Sequence, residues 1–392
     1  MDSVLILHAS AGSGHRSVAR AIADAMPDTA QALVADILSF GSPLFRTLYG
    51  RGYEFSAKYM RWFVHMVFAL TDHPCTQSRL VNFSEEATCA AVQEVFSLVR
   101  DNGVNTVLCT HFLPVALMCR LRRKSLYHGS IHVCVTDYDV HGFWFDPDVD
   151  LYHVASQRAV EKLASLGVER SRIHLSGIPV RRDFCAEKRG NCQADAERTA
   201  KKGTLSVLFM ASSLRHGECL NMLSEMDQCG VSCTVHLVTG RNTGLCRQLE
   251  RNPPKAQNIT LVPHGFVRDV AALMRACDLM ITKPGGITVT EGLVQHIPML
   301  FVAPIPLHEV QNARILEEAG AGLACFAKGS LGSSLHALAC EPSRLERMRM
   351  ACKNLARPNA AQAIGELAVR ATKSPMTSCA KASPFARVLR MG

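Results

Sequence analysis

Residues 278–291 read Asp-Leu-Met-Ile-Thr-Lys-Pro-Gly-Gly-Ile-Thr-Val-Thr-Glu, a short apolar strand pattern that runs straight into a turn and then into a helical pattern. The strand is predicted to end at Thr282, and Pro284 and Gly285 then force the chain to turn. Gly286 opens the helix, where a glycine lets the backbone approach a ligand closely. Because the amides and the dipole of a helix N-terminus favour an anion, the segment predicts a diphosphate site.

Side chains of the same segment extend this predicted site. Lys283 precedes the turn, and Thr288 and Thr290 place hydroxyls beside the first amides of the helix. Glu291 lies about one turn further on, where a carboxylate can accept both hydroxyls of a ribose. An acid near the start of a helix also complements the dipole without any ligand, so both interpretations of Glu291 stay open.

The alternation of strand and helix continues on both sides of the segment. Further strand patterns lie at residues 206–210, 233–239, 258–262 and 299–302 in the second part of the chain, and at 4–8, 32–37, 106–110, 131–136 and 151–155 in the first. Such alternation is typical of βαβ units and parallel sheets. We therefore predict an α/β protein with two Rossmann-like, doubly wound domains.

Composition shifts divide the chain. A polar and basic stretch at 186–203 is predicted to be a linker between an N-terminal domain at 1–185 and a C-terminal domain at 204–372. The tail, 373–392, carries four basic residues, no acid and two prolines, and is predicted to be disordered.

Two other loops follow predicted strands, where doubly wound folds bind ligands. Residues 9–15, Ala-Ser-Ala-Gly-Ser-Gly-His, form a glycine turn before a helical pattern, although such turns are common and His15 alone is equally typical of a helix start. Residues 304–312, Pro-Ile-Pro-Leu-His-Glu-Val-Gln-Asn, place polar groups on a proline-rich loop that can bind sugar hydroxyls, or cap the following helix.

Composition narrows the class of protein. The chain has 392 residues, of which 48% are hydrophobic and 20% charged, enough for two cores. Its 16 cysteines lack the paired spacing of a zinc site or a disulfide framework. The N-terminus has no basic region of a signal peptide, and the longest apolar stretch, 62–70, is too short to span a bilayer, so the protein is predicted to be soluble or peripheral.

The net charge of +9 indicates an acidic partner, either nucleic acid or an anionic membrane surface. Residues 40–68 hold the densest mixture of aromatic and basic residues, several of them close to one helical face. That pattern favours an interfacial helix on an anionic bilayer, with packing inside the domain as the alternative. No nucleic-acid motif is present, so nucleic acid is not predicted as a partner. The predicted membrane and acceptor residues are Tyr49, Tyr53, Tyr59, Arg61, Trp62 and Phe63.

Six segments, in order along the chain, carry a family resemblance. They are Gly14-His15, residues 135–144 with Thr136-Asp137, His141 and Trp144, residues 176–181, residues 264–267, residues 281–288, and His308-Glu309 with Asn312. Together they resemble the processive diacylglycerol glucosyltransferases and the monogalactosyldiacylglycerol synthases, and more distantly the transferase that adds N-acetylglucosamine to the lipid-linked peptidoglycan precursor. The resemblance implies a GT-B fold with two Rossmann-like domains facing a cleft. It also implies an inverting, metal-independent transfer from a UDP-sugar, and a lipid acceptor held by the N-terminal domain at the cytoplasmic face of a membrane.

The resemblance also implies roles for individual residues. His15 matches the histidine proposed as the base on the acceptor hydroxyl. Asp137 and His141 match positions that support the base or the acceptor, with a turn-forming aspartate and a structural histidine as the alternative. Glu309 matches the acid that binds the donor sugar. The complete set of predicted donor-binding residues is Gly14, Ser212, Arg241, Phe266, Val267, Lys283, Gly285, Gly286, Thr288, Glu291, His308, Glu309 and Asn312.

The chain departs from the family pattern at three places, one of which is Arg241, at a position that is often lysine in the family. His308 stands where the family has a glutamine that helps to bind the sugar, and the expected glycine-rich turn is Ala211-Ser212-Ser213. The leading hypothesis is hexose transfer, of glucose or galactose, from a UDP-sugar to diacylglycerol. The alternatives are N-acetylglucosamine transfer to a polyprenyl-linked acceptor, hydrolysis of the sugar nucleotide, and a catalytically silent nucleotide-binding membrane scaffold.

Overall fold

The structure is a computed structural model that describes residues 2–10, 14–40, 85–185, 204–304 and 308–373. The predicted linker, nearly all of the predicted tail and the acceptor residues between Tyr49 and Phe63 lie outside these ranges. Within the described ranges, no helix combines the length and the hydropathy needed to cross a bilayer.

The first half of the chain forms a sheet of six parallel strands with helices between them. Its strands are β1 (Asp2–His8), β2 (Ala30–Asp36), β3 (Thr106–Cys109), β4 (Ser130–Cys134), β5 (Leu151–His153) and β6 (Ile173–His174). Its helices are α1 (Gly14–Asp24), α2 (Glu85–Asp101), α3 (Phe112–Arg123), α4 (Gln157–Ser165) and the short α5 (Arg182–Cys185).

The second half forms another sheet of six parallel strands. Its strands are β7 (Leu205–Met210), β8 (Cys233–Val238), β9 (Ile259–His264), β10 (Leu279–Thr282), β11 (Met299–Phe301) and β12 (Gly322–Ala324). The helices that follow are α6 (His216–Gln228), α7 (Thr243–Arg251), α8 (Val270–Ala276), α9 (Gly286–Val294), α10 (His308–Glu318), α11 (Ser330–Cys340), α12 (Pro342–Leu355) and α13 (Ala360–Lys373).

The strand orders confirm the predicted doubly wound architecture. The first sheet has the order β2-β1-β3-β4-β5-β6, and the second has the order β9-β8-β7-β10-β11-β12. In the second sheet, successive strands are added outward from β7 to β9 on one side and from β10 to β12 on the other. The direction of winding reverses between β1 and β3 in the first sheet and between β7 and β10 in the second. Ligands of such sheets bind beyond the carboxyl ends of the strands at these reversal points, which here carry the predicted loops.

Three apolar cores hold the layers together. One covers the face of the first sheet that packs on α2, α3 and α4, and another covers the face of the second sheet that packs on α6 and α11. The third is shared, because it joins Val4 and Ile6 of β1 to Leu208 of β7 and Met280 of β10. A core that continues from one sheet to the other ties the two halves into one body.

The last helix departs from the predicted division of the chain. Residues 360–372 were assigned to the C-terminal domain, but α13 packs on α1 and on β1, β3 and β4 of the first sheet. Ile364 and Ala368 of α13 are buried in the shared core with Val18 and Ile22 of α1. The reason is visible in the spacing of Ala361, Ile364 and Ala368, which places apolar side chains on one helical face.

Candidate active site

The cleft between the halves is lined by loops at the two reversal points and after the neighbouring strands β4 and β11. From the first half come the start of α1 after β1, the residues after β3 and the residues after β4. From the second half come the turn between β10 and α9 and the start of α10 after β11. Gly14 lies so close to α9 that a Cβ atom there would be 2.9 Å from Cδ1 of Ile287. The first turn of α1 therefore faces the first turn of α9.

His15 is held in a defined orientation at the start of α1. Its Nδ1 atom lies 2.8 Å from the backbone carbonyl oxygen of Thr110, at the end of β3, and 3.2 Å from the hydroxyl oxygen of Thr136, after β4. A carbonyl only accepts hydrogen bonds, so Nδ1 carries the proton and donates it. Nε2 is then the basic nitrogen of the neutral ring, which is the form a general base requires.

The environment of His15 favours that neutral form. Burial lowers the pKa of His15 below its usual value of 6.5, and the negative charge of Asp137 and the hydrogen bond to Thr110 partly oppose this shift. His308 lies close enough that its charge also lowers the pKa of His15. An imidazole that is neutral at pH 7 and stabilised as a cation by a carboxylate suits proton abstraction.

A row of aromatic rings continues from His15 along the edge of the first sheet. The ring of His111 meets that of His15 edge-on with centroids 4.6 Å apart, and the next ring is Phe112, 4.2 Å from His111. Phe143 stacks on Phe112 at 5.1 Å, and His141 lies 4.6 Å from Phe143. Half-buried Phe112 and Phe143 give this edge an apolar surface next to the candidate base.

The three predicted catalytic residues have different surroundings. Asp137 accepts a hydrogen bond from Nδ2 of Asn312, 2.9 Å away in the second half. His141 accepts a hydrogen bond from the backbone amide of Phe143 at 3.2 Å and caps a short 3-10 helix, Gly142–Trp144. This is the structural use that the sequence left open for His141, whereas Asp137 and His15 face the second half.

The start of α9 has the properties expected of an anion site. Gly285 is the N-cap residue and provides no side-chain cap, and the first turn contains no acidic residue. The first hydrogen bond of the helix runs from the amide of Val289 to the carbonyl of Gly285 over 3.1 Å, so the amides of residues 286–288 precede it. Gly286 itself lies against the first half, because a Cβ there would be 2.0 Å from the carbonyl oxygen of Thr136.

Beside this turn lies a buried ion pair. Oε2 of Glu309, in the first turn of α10, is 3.4 Å from Nζ of Lys283, and only 9% of the Glu309 side chain and 17% of the Lys283 side chain are exposed. A Cβ at Gly285 would be 3.5 Å from Oε1 of Glu309, so the predicted sugar-binding acid borders the diphosphate turn. Glu291 is further along α9, and burial raises its pKa to about 7 against the influence of Arg181.

The remaining predicted donor residues lie along the same edge of the second sheet. Ser212 and Arg241 are exposed in the turns after β7 and β8, and a Cβ at Gly240 would be 3.2 Å from Cβ of Ser212. Phe266, after β9, is 68% exposed, while Val267 packs against the shared core. Thr288 is half-buried in the first turn of α9.

Asn312 differs from the other predicted donor residues because it is completely buried. The side-chain amide of Asn312 forms hydrogen bonds with the carboxylate of Asp137, the backbone amide of Tyr138 and the backbone carbonyl of Pro284. Its assignment to UDP-sugar binding remains a prediction. Direct contact with the donor would require Asn312 to give up some of these hydrogen bonds.

Three residues that shape this cleft were not predicted from the sequence, namely Thr110, His111 and Tyr138, and Thr136 was named there without a role. Thr110 and Thr136 lie at the ends of predicted strands, and this position could have identified them as candidate site residues. Among the described residues, no group of three or more His, Cys, Asp or Glu side chains has the geometry of a metal site. Metal independence remains a prediction.

Two Rossmann-like sheets whose reversal points face a shared cleft define a GT-B protein. Residues 15–180 match the family model of monogalactosyldiacylglycerol (MGDG) synthase, and residues 221–364 match the family 28 glycosyltransferase C-terminal domain. The chain belongs to the family of GT-B glycosyltransferases that includes the MGDG synthases and the processive diacylglycerol glucosyltransferases.

Full-length relatives agree with the family models. The processive diacylglycerol beta-glucosyltransferase of Bacillus cereus (strain AH187) is 27% identical over 374 residues, with 92% of each chain covered. The enzyme of the same name from Bacillus licheniformis is 26% identical over 375 residues, with 92% of this chain and 93% of the relative covered.

Solved structures show the same fold at lower identity. Acinetobacter baumannii MurG is 15% identical with a TM-score of 0.61, and the alignment covers 94% of this chain and all of that one. The UDP-GlcNAc 2-epimerase from Neisseria meningitidis, solved with UDP-GlcNAc bound, is 13% identical with a TM-score of 0.56 over 94% of this chain and all of that one.

Proposed function

We propose that this protein is an inverting glycosyltransferase that moves glucose or galactose from a UDP-sugar to the hydroxyl of diacylglycerol and so makes a membrane glycolipid. The observation that carries the proposal is the placement of the oriented imidazole of His15, from one half, opposite the amide-rich start of α9, from the other. The acceptor is inferred from the relatives that are named diacylglycerol glucosyltransferases.

The reaction follows from this geometry. Nε2 of His15 takes the proton of the lipid hydroxyl while its oxygen attacks the anomeric carbon of the sugar. The bond from that carbon to the β-phosphate oxygen breaks, and UDP leaves on the opposite face, which inverts the anomeric centre. The amides of residues 286–288 and the dipole of α9 stabilise the negative charge on the leaving diphosphate. Glu309 binds hydroxyls of the sugar, and Glu291 binds those of the ribose.

The acceptor side of the proposal rests on the sequence and on one structural feature. The basic, aromatic stretch between Tyr49 and Phe63 is proposed to contact an anionic bilayer from its cytoplasmic face, so that the protein binds the membrane peripherally. The apolar surface of Phe112 and Phe143 lies next to the candidate base, and it suits the glycerol end of a lipid.

The test uses purified protein with vesicles that contain diacylglycerol, prepared with and without anionic phospholipid. UDP-glucose, UDP-galactose and UDP-N-acetylglucosamine are supplied separately, and any glycolipid is identified by mass spectrometry. We expect a hexosyl product that forms faster on anionic vesicles. A product made only from UDP-N-acetylglucosamine, free sugar without glycolipid, or no turnover with any donor contradicts the proposal.

A histidine variant tests the assigned base. His15→Ala is expected to lower kcat by about 1000-fold, the range of general-base catalysis, while UDP binding persists because α9 is unchanged. The matched control is His128→Ala, which removes an exposed imidazole from the same half of the protein and should transfer sugar at the wild-type rate. Transfer by His15→Ala at the rate of this control excludes His15 as the base.

A further inference from the structure

The side-chain amide of Asn312 connects three separate segments at the centre of the cleft. Oδ1 accepts a hydrogen bond from the backbone amide of Tyr138 over 2.8 Å. Nδ2 donates one hydrogen bond to Oδ1 of Asp137 over 2.9 Å and another to the carbonyl of Pro284 over 3.0 Å. Both donors and the acceptor of this buried amide are therefore used, and two of the three partners belong to the other half of the protein.

Other contacts cross the cleft beside this amide. The hydroxyl of Tyr138 lies 2.9 Å from the hydroxyl of Thr290 on α9. Gly286 packs directly on the backbone of Thr136. Asn312 can make all of its hydrogen bonds only when the loop after β4, the turn before α9 and the start of α10 are in these positions together. Opening the cleft removes Asp137 and Tyr138 from it.

Asp137 links this amide to the candidate base. The carboxylate of Asp137 favours the charged form of His15, which is the form that exists after the proton has been taken from the acceptor. A hydrogen bond from Nδ2 of Asn312 holds that carboxylate in one orientation, as the orienting groups of other catalytic histidines do. The same Nδ2 atom holds Pro284 in the turn that is proposed to bind the diphosphate.

We infer that Asn312 is a positioning residue that couples closure of the donor side to the orientation of Asp137 beside His15. The inference rests on the proposed function for the identity of the reaction, but not for the closure itself. Asn312 then acts at the contact between the two halves, and not in donor binding as the family resemblance implies.

The first readout is the exchange of the Tyr138 amide with deuterated solvent, measured by mass spectrometry with and without UDP. This amide donates directly to Asn312, so it is expected to be protected in the wild type and to exchange at least about tenfold faster in Asn312→Ala. Asn258→Ala is the matched control, because Asn258 also bonds a backbone carbonyl, that of Asp227, within the second half alone. Unchanged protection of Tyr138 in Asn312→Ala overturns the inference.

The second readout is the dependence of kcat on pH. Loss of the Asp137 charge next to His15 must lower the pKa of the imidazole, so the acid limb of the profile should move to lower pH in Asp137→Asn. If Asn312 acts through Asp137, Asn312→Ala should move the limb in the same direction and lower kcat by about 100-fold, with a smaller change in the KM for the UDP-sugar. The double variant should show no further shift of the limb, because the two residues act as one unit.

If Asn312→Ala does not fold, Asn312→Asp replaces it in both measurements. It keeps an acceptor for Tyr138 but faces Asp137 with a second negative charge, so transfer should fall although Tyr138 stays partly protected. Additive effects of the Asn312 and Asp137 variants, or an acid limb that does not move, overturn the inference. If the wild type makes no glycolipid, the proposed function fails, while the exchange of Tyr138 still decides whether Asn312 closes the cleft.

Discussion

Gly286→Ala is the substitution for which the structure makes the sharpest prediction. A Cβ atom at residue 286 would be 2.0 Å from the carbonyl oxygen of Thr136, 3.0 Å from its carbonyl carbon and 3.3 Å from Cα of Asp137. All three atoms belong to the backbone of the other half, so no side-chain rotation relieves the clash. Ordinary contact begins at 3.4 Å, so the two backbones must separate by roughly 1.4 Å in a tightly packed seam.

That separation moves the start of α9 away from His15, and the expected cost is large. A misplacement of about 1 Å at a reacting centre lowers the rate by about 100-fold, so kcat/KM for glycolipid formation should fall by at least about that factor. UDP binding should weaken much less, since the amides of α9 stay in the second half. The control is Gly217→Ala in the first turn of α6, where a Cβ meets nothing within 4 Å. If Gly286→Ala transfers sugar as fast as Gly217→Ala, the closed seam is not the reactive arrangement.

Three further outcomes follow from the charges in the structure. Burial raises the pKa of Glu291 to about 7, and the proposed contact with the ribose uses its ionised form. UDP affinity should therefore rise with pH from 6 to 8 and then level off, and calorimetry should find no such rise in Glu291→Gln. Burial lowers the pKa of His132 to about 4, so the unfolded chain binds more protons between pH 6.5 and 4. Stability should therefore decrease by about 3 kcal/mol as the pH falls through that window, and urea midpoints should show a smaller decrease in His132→Gln. EDTA should leave the initial rate of transfer unchanged, because α9 is proposed to stabilise the leaving diphosphate without a metal. A rate that falls and is restored by Mg²⁺ contradicts the metal-free mechanism.

The strands and their order of connection were largely predictable from the sequence. Ten of the twelve strands that the structure describes follow from short apolar runs, such as the run that ends at Thr282 before proline and glycine. The two that were missed, β6 and β12, contain two and three residues, too few to show any periodicity. Residues 360–372 were included in the C-terminal domain by their position in the chain, and position does not show that the apolar face of α13 packs on the first sheet.

The site was predictable to the level of loops, and less so at the level of contacts. His15 and the turn at Gly285 were found because helix starts after parallel strands are binding positions. The orientation of the His15 ring was not predicted, because it depends on the backbone carbonyl of Thr110. A backbone carbonyl has no sequence signature. Asn312 and Asp137 were both chosen as site residues, but their mutual hydrogen bond joins positions 175 residues apart, which a single sequence does not reveal.

The return of α13 to the first sheet has a consequence for how the protein can be divided. Burial of Ile364 and Val369 is worth about 2 kcal/mol each to the first half, although both residues lie beyond all strands of the second sheet in the chain. The N-terminal half therefore lacks part of its own core until residues 360–373 have been synthesised. A gene fragment that ends at the linker should yield an unstable product, and adding residues 360–373 in trans or by circular permutation should rescue it.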